Sequence, residues 1–165
     1  SALGSGVVQE VERVELDRKM IADKVRYFLD VDEPTSEDLI SNSTFVYSKT
    51  HRVRNVHASD GEHLLSPRMR DGGLSLTLEG ARRLHGTAIP TVVVNEDSVP
   101  FTRKGRNVMH GFIVEVKGEL TPGLPCLVED PNGEFIGHGV SLCTADEVAC
   151  FTKGIAIKIR DGIGD

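Results

Sequence analysis

The N-terminal part of the chain has a helical pattern of apolar positions. Over residues 15–29 apolar side chains recur every three or four positions, which is typical of one face of an amphipathic helix. Residues 30–34 interrupt this pattern, because proline disfavours helical geometry in the residue before it. Thr35 or Ser36 is then expected to cap a short second helix that runs through Ile40.

From residue 44 onwards the pattern changes to the alternation of short β-strands. Asp-Gly turns separate these strands, since glycine tolerates positive φ. A helix from Leu78 to Leu84, ended by Gly86, follows them. The first half is therefore predicted to be a small sheet flanked by helices. The predicted strands are Thr44–Tyr47, Arg52–Val56 and Leu74–Thr77.

After Pro90 the chain has many short apolar runs separated by turn signals such as Pro131-Asn132-Gly133. Two short helices are expected, at Ser98–Lys104 and from Thr144 to about Phe151. Short strands with regular turns and few helices favour a closed or nearly closed barrel. The predicted strands are Thr91–Val94, Gly111–Val116, Cys126–Val128, Phe135–Gly137 and Ile155–Ile159.

The chain is thus predicted to be an α+β protein with an N-terminal helix-and-sheet domain at 7–88 and a β pseudo-barrel domain at 89–165. Residues 1–6 are small, typical of a flexible segment, and are left out of this prediction. No apolar run approaches the roughly 20 residues that cross a bilayer, so no membrane association is expected. No basic segment followed by an apolar core opens the chain, so no signal peptide is expected.

Charge and cysteine content refine this picture. The net charge of −6 argues against a strong general affinity for nucleic acid, but residues 41–88 hold seven basic and four acidic side chains. Cys126, Cys143 and Cys150 form no C-x-x-C pair, so we expect buried structural thiols and a reducing cytoplasm rather than disulfides. The segment around Cys150 is interpreted as an apolar helix face.

Catalytic and metal-binding motifs are not visible. His57 and His63 flank an Asp-Gly turn without a third soft ligand, which favours a polar hairpin tip over a zinc site. A catalytic triad could be assembled from Ser66, His63 and Asp60, but no G-x-S-x-G nucleophile elbow is present, so we set this triad aside. We therefore predict no catalytic residue, no cofactor and no metal.

Glycines and prolines recur at set positions around the strands of the last third, in the segments Gly105-Arg106-Asn107-Val108, Thr121-Pro122-Gly123, Gly137-His138-Gly139 and Lys153-Gly154-Ile155-Ala156. This series resembles the PUA family of small RNA-binding β-barrels. The resemblance implies a protein that binds RNA and does not itself transform it.

A second series of motifs, N-terminal to the first, makes the family assignment more specific. It consists of Arg52-Val53-Arg54-Asn55-Val56, Asp60-Gly61-Glu62-His63, Asp71-Gly72 and the segment 76–85. In order and spacing this series resembles the domain that precedes PUA in the C-terminal part of archaeal archaeosine tRNA-guanine transglycosylases. Those enzymes carry their chemistry on a large barrel with catalytic aspartates and a cysteine-rich zinc site, neither of which is present in this sequence.

The resemblance implies a non-catalytic protein that binds tRNA at its acceptor stem and 3′ end. It also implies a partner, namely a separate tRNA-modifying enzyme of the archaeosine pathway, and no binding of DNA. Three other functions stay open. They are a translation factor on the ribosome or initiator tRNA, a small RNA-modifying enzyme with a site between the domains, and a scaffold for proteins alone.

By resemblance to PUA–RNA complexes, the first helix, the next strand and the last strand form the binding face. The Lys104–Asn107 turn and the closing Gly154–Arg160 strand are then expected to meet on one cationic ledge, where glycine lets a phosphate approach the backbone. Turn geometry alone is an equal explanation for the glycines. The nominated residues are Arg103, Lys104, Gly105, Arg106, Asn107, His110, Lys153, Gly154, Lys158 and Arg160.

Arg52 and Arg54 suggest a second RNA-contacting surface on the first domain. They are predicted to share one strand face. Ion pairing of these arginines with the acidic N-terminal helices is the alternative.

Overall fold

The computed structural model describes residues 2–68 and 70–164, with side chains from residue 10 onwards. Its first sheet has four antiparallel strands in the order β1-β2-β3-β4. The third strand was not among those predicted. The strands are β1 (Thr44–Tyr47), β2 (Val53–His57), β3 (His63–Pro67) and β4 (Leu74–Leu76).

Three helices surround this sheet, namely α1 (Ala2–Leu29), α2 (Glu33–Ile40) and α3 (Leu78–Leu84). Helix α1 ends where predicted but begins earlier, so residues 2–6 are helical; Ser1 lies outside the described residues. The predicted cap of α2 is wrong. Asp32 is the N-cap and accepts from the Thr35 N–H at 2.9 Å. Proline is tolerated in the first turn because its missing N–H has no helical partner there.

The second sheet has six strands in the order β6-β10-β9-β8-β5-β7, with one parallel pair, β5 with β8. A short 3-10 helix (His110–Phe112) joins the two edge strands, so one continuous segment supplies both edges and the sheet curls into a pseudo-barrel. The strands are β5 (Thr91–Val94), β6 (Val108–Met109), β7 (Ile113–Lys117), β8 (Pro125–Glu129), β9 (Phe135–Ser141) and β10 (Ile155–Gly162). This confirms the predicted fold class.

Two short helices accompany the second sheet, α4 (Val99–Arg103) and α5 (Ala145–Cys150). Helix α5 has a capping box between Thr144 and Glu147, but none of its side chains is buried. Cys150 is therefore exposed, which corrects its interpretation as part of a buried apolar face. Cys126, by contrast, is buried, and burial raises the pKa of its thiol to about 12.

Two hydrophobic cores stabilise the fold. The first joins α1 to the four-stranded sheet and also includes Ile89 and Leu127, so the second half of the chain contributes to it. The second fills the pseudo-barrel. At the junction, the buried Glu129 carboxylate accepts from the Lys117 Nζ at 2.8 Å and contacts the His85 Nε2 at 2.5 Å.

Burial by itself raises the pKa of the Glu129 carboxyl. The hydrogen bonds with Lys117 and His85 outweigh this effect and hold the pKa below its ordinary value. This ion-pair cluster therefore ties the end of α3 to the pseudo-barrel.

Candidate nucleic-acid interface

The turn after α4 is an exposed loop whose conformation requires glycine. Gly105 has φ +89°, and apart from its two neighbours in the chain no described residue lies within 4 Å of the position that a Cβ would take. The N–H groups of Gly105 and Arg106 donate to the carbonyls of Thr102 and Phe101, at 2.9 and 3.0 Å, and close the end of the helix. Lys104 and Arg106 consequently project into solvent on a fixed backbone.

This turn meets the closing strand β10. The Asn107 Oδ1 accepts a hydrogen bond from the backbone N–H of Ile159 at 3.0 Å. From there β6 runs antiparallel to β10, with Val108 opposite Ile157. The His110 N–H donates to the carbonyl of Gly154 at 3.1 Å. The two segments that the sequence expected on one ledge therefore lie side by side.

Five side chains of this surface are exposed cations. They come from the turn and from β10 with the loop before it, and none forms an ion pair with any residue that the structure describes. We call them the cationic ledge. Its members are Lys104, Arg106, Lys153, Lys158 and Arg160.

Besides Asn107, two predicted site residues are used by the fold itself. Arg103 donates from Nε to the carbonyl of Gly164 at 2.8 Å, and the Gly164 N–H donates back to the Arg103 carbonyl at 2.7 Å. His110 is only 8% exposed, and its ring lies 5.5 Å from that of Phe151. Within the described part of the chain, its buried Nδ1 has no hydrogen-bond partner. These contacts hold in place the two segments that carry the exposed cations of the ledge.

Two glycines of the predicted series lie in turns with positive φ, and a third lies inside a strand. Gly154 has φ +93° and Gly123 has φ +86°, so the turn explanation holds for both. Gly139 instead lies inside β9, where a Cβ would collide with the carbonyl oxygen of Lys158. This close approach sets the spacing between β9 and β10 beneath the ledge.

A groove of about 390 Å³ adjoins the ledge where the two sheets meet. Arg68 and Ser75 come from the first half, whereas Pro125 and Arg160 come from the pseudo-barrel. Local sequence patterns did not reveal this groove, because its walls come from distant segments of the chain. The remaining wall residues are Leu74, Leu76, Gly123, His138, Gly139, Val140 and Asp161.

One carboxylate lies beside the ledge in this groove. Asp161 is paired through Oδ2 with the Nε2 of His138 at 3.3 Å, and its side chain is 55% exposed. Burial lowers the pKa of His138 although Asp161 opposes the shift, so the imidazole is neutral near pH 7. His138 therefore places no positive charge beside the Asp161 carboxylate, which limits how much anion the groove accepts there.

The proposed second surface differs from its prediction. Arg54 is exposed and is the extra residue of a β-bulge, because Val46 pairs with Asn55 and Tyr47 with Val53. Arg52 precedes β2. They do not form the regular strand face that alternation predicted.

The polar side chains near this strand make a hydrogen-bonded network. The rings of His57 and His63 are stacked with centroids 5.0 Å apart, and the His63 Nε2 lies 2.9 Å from the Ser66 hydroxyl. Asp60 pairs with Arg83 at 2.7 Å instead of completing a triad. Among the described residues, no group of three His, Cys, Asp or Glu side chains is arranged to hold a metal ion.

Among the residues that the structure describes, no helix is both long enough and apolar enough to cross a bilayer.

Comparison with known families gives two adjacent matches. The PUA domain matches residues 90–163, and the patch-forming domain C2 of tRNA-guanine transglycosylase matches residues 32–90. Together they cover the first sheet and the pseudo-barrel, which contain the groove and the ledge.

Relatives of known sequence agree with these matches. The tRNA-guanine(15) transglycosylase of Thermococcus kodakarensis is 39% identical over 70% of this chain, and that of Methanocaldococcus jannaschii is 33% identical over 88%. The chain spans only 20% and 22% of those two proteins, about a fifth of their length.

Solved structures show the same fold at low identity. A hypothetical protein from Pyrococcus horikoshii has a TM-score of 0.69 at 18% identity, covering 90% of this chain and 91% of that one. A PUA domain from Aeropyrum pernix has a TM-score of 0.58 at 15% identity, covering 90% and 82%. The chain therefore combines a PUA domain with a patch-forming domain of the tRNA-guanine transglycosylase type, as the order of its motifs predicted.

Proposed function

We propose that this protein binds structured RNA, and tRNA in particular, on the cationic ledge, as a non-catalytic factor in the cytoplasm. The observation that carries this proposal is the junction at Asn107 and Ile159, which brings exposed cations from the turn and from β10 together. A local cluster of cations suffices for phosphate binding even on a chain of net charge −6.

The chemistry of the ledge suits the backbone of an RNA helix. RNA helices present phosphates and 2′-hydroxyls across a wide, shallow minor groove, so proteins contact them mainly by shape and charge. The open backbone around Gly105 admits a phosphate oxygen, and Lys104 and Arg106 stand on either side of it. Lys158 and Arg160 continue the charge along β10.

The groove next to the ledge suits an unpaired end of the same RNA. Its volume of about 390 Å³ falls in the range of small-ligand sites. Arg160 belongs to both the groove and the ledge, and Pro125 offers an apolar surface for a base. We therefore propose that the acceptor stem lies on the ledge and that the 3′ end enters the groove.

The relatives support a role beside a modifying enzyme. The similar proteins are named tRNA-guanine(15) transglycosylases, and this chain corresponds to about a fifth of each. We propose that the chain presents tRNA to a separate tRNA-modifying enzyme. Mixing the chain with such an enzyme should lower the tRNA concentration at half-maximal rate, and an unchanged value would contradict this part of the proposal.

Filter binding with bulk tRNA tests RNA binding itself. Affinity should fall steeply with salt, and the slope counts the phosphates that are neutralised. Removing the 3′ CCA should weaken binding, whereas a double-stranded DNA of equal length should bind at the non-specific level. Equal affinity for tRNA and DNA at all salt concentrations would contradict the proposal.

The second surface has its own test. If Arg52 and Arg54 contact RNA, replacing both by Glu lowers tRNA affinity at low salt by roughly tenfold. Unchanged affinity at low salt removes this surface from the proposal and leaves the ledge unaffected.

A further inference from the structure

A cavity of about 290 Å³ lies where the C-terminal end of α1 meets the pseudo-barrel. One wall comes from the last turn of α1 and the residue after it, and the other comes from the loops around β5 and β8. Pro125 is the one described residue that it shares with the groove beside the ledge. We call it the junction cavity and define it by Tyr27, Phe28, Asp30, Glu119, Leu124 and Pro125.

Two aromatic rings form a corner at this cavity. The rings of Tyr27 and Phe28 are nearly perpendicular, with an interplanar angle of 81° and centroids 5.3 Å apart. Tyr27 is 79% exposed, whereas Ile21 and Val25 on the other face of α1 are buried in the first core. Packing of α1 therefore does not require the Tyr27 ring. The faces of such rings attract cations, and a planar guanidinium stacks on them particularly well.

The charge of the junction cavity is negative. Asp30 and Glu119 both line it, and none of the described residues around it is basic. Neither carboxylate forms a hydrogen bond or an ion pair with a residue that the structure describes. Aromatic faces beside two unpaired carboxylates are the surroundings that a cationic side chain with an apolar stem requires.

The neighbouring cations are engaged elsewhere. Arg26 lies one turn before the end of α1 and contacts Asp23 at 3.4 Å and Glu33 at 3.7 Å. Lys117, which precedes the pseudo-barrel wall of the cavity, pairs with Glu129 at 2.8 Å. The negative charge of the cavity is therefore not neutralised by these side chains.

Asp30 occupies a position that does not favour a carboxylate. It follows the last residue of α1 and has φ +55°, a conformation that helix ends usually give to glycine or asparagine. The C-terminal end of a helix also carries partial negative charge, which repels a carboxylate. Asp30 is thus unfavourable for the isolated chain, and its charge is available to a cation from outside.

We propose that the junction cavity binds an arginine side chain presented by a partner protein. The guanidinium stacks on the aromatic corner and donates to Asp30 and Glu119, while its apolar stem lies against Leu124 and Pro125. Arginine suits the cavity better than lysine, because its planar fork can stack and donate to two carboxylates at once. The same carboxylates repel the phosphates of RNA. The cavity contains no residue of the cationic ledge, so this proposal does not rest on the proposed RNA binding.

A titration followed by two-dimensional amide NMR tests the proposal with N-acetyl-arginine amide. The shifts should saturate and be confined to residues 27–30 and 119–125, with a dissociation constant of about 1 to 10 mM, as expected for so small a ligand. N-acetyl-citrulline amide has the same shape without the charge and should bind about tenfold more weakly. Free arginine should also bind more weakly than the amide, because its own carboxylate approaches Asp30 and Glu119.

Variants separate the charge of the cavity from its aromatic wall. Asp30→Asn with Glu119→Gln should weaken binding about tenfold, and the fold is retained because asparagine readily adopts positive φ. Tyr27→Ala should weaken binding about threefold with both carboxylates intact. Glu96→Gln with Asp97→Asn is the matched control, since it removes two exposed carboxylates elsewhere, and it should bind like the parent.

The same preparations distinguish this proposal from the proposed RNA binding. Asp30→Asn with Glu119→Gln should leave tRNA affinity within about twofold of the parent, because neither residue lies on the ledge.

Three results would overturn the proposal. The first is the absence of saturable shifts, or shifts spread over all the acidic surfaces of α1 and α2, which would indicate non-specific attraction of cations. The second is equal binding of the citrulline and arginine amides, or binding that is unchanged by Asp30→Asn with Glu119→Gln. The third is tighter binding of free arginine than of its amide, which would assign the cavity to the free amino acid instead of a protein.

Discussion

The two regions of the molecule use their cations differently. In the first half, arginines stabilise the fold: Arg18 donates to the carbonyl of Ser43 at 2.8 Å, and Arg83 pairs with Asp60 at 2.7 Å. On the ledge, cations such as Lys158 and Arg160 have no ion-pair partner among the described residues. A cation whose donors are already engaged within the chain has little to offer a phosphate. The contrast therefore separates structural charge from charge available to a ligand.

Reversing the ledge charges is the change with the largest expected effect. Lys158→Glu with Arg160→Glu should lower tRNA affinity about a hundredfold at low salt and reduce the salt slope by about two, because two phosphate contacts are lost. The thermal midpoint should stay within a degree or two of the parent, since neither side chain forms an ion pair with a residue that the structure describes. Filter binding and differential scanning calorimetry measure both quantities.

Releasing the turn from β10 is expected to have an intermediate effect. Asn107→Ala removes the acceptor of the Ile159 N–H and should reduce the free energy of unfolding by about 1 kcal/mol. It should also weaken tRNA binding about fivefold, because the turn loses its fixed position. Asn107→Asp keeps an acceptor oxygen and should restore stability, although its negative charge still weakens RNA binding. Equal loss of stability in both variants would show that the hydrogen bond is not the cause.

Replacing a cation that stabilises the fold should affect stability more than RNA binding. Arg83→Gln breaks the pairs with Asp60 and Glu79, so it should lower the thermal midpoint slightly while tRNA affinity changes by less than about twofold. Differential scanning calorimetry and filter binding on one preparation measure the thermal midpoint and the tRNA affinity. A fall in tRNA affinity of more than about twofold with an unchanged thermal midpoint would contradict the proposed difference between the two regions.

The smallest expected effect is the contribution of Glu129, at the junction between the halves, to stability. This contribution depends on pH. The pKa of Glu129 is lowered in the folded protein from its ordinary value of 4.5. Its ion pairs therefore contribute stability above that value, and this contribution is lost as the pH falls through the lower folded pKa. Urea unfolding at several pH values should show a steeper decline below pH 4.5 in the parent than in Glu129→Gln. Parallel curves would contradict this role.

Some of these elements could be predicted from local sequence alone. Helix α3 has the predicted bounds: Thr77 caps its start, with its hydroxyl accepting from the Gly80 N–H at 3.1 Å, and Gly86 follows its end with φ +86°. Strand β5 is an uninterrupted β-branched run that is buried on both faces. In both cases a short-range signal decides the structure.

Other features depend on contacts that local patterns do not contain. Strand β3 was missed because Leu64 and Leu65 are both buried, which breaks the expected alternation. Cys150 was misjudged because the α5 helix packs no face into the core. The contact of Asn107 with Ile159 spans 52 residues, and only the resemblance to the PUA family predicted that their segments meet.

Mapping ultraviolet crosslinks between the protein and tRNA by mass spectrometry tests the central claim most directly. The account predicts crosslinked peptides from residues 103–110 and 153–160, with weaker yield when Lys158 and Arg160 are replaced by Glu. Crosslinks confined to α1, α2 or the four-stranded sheet would contradict it.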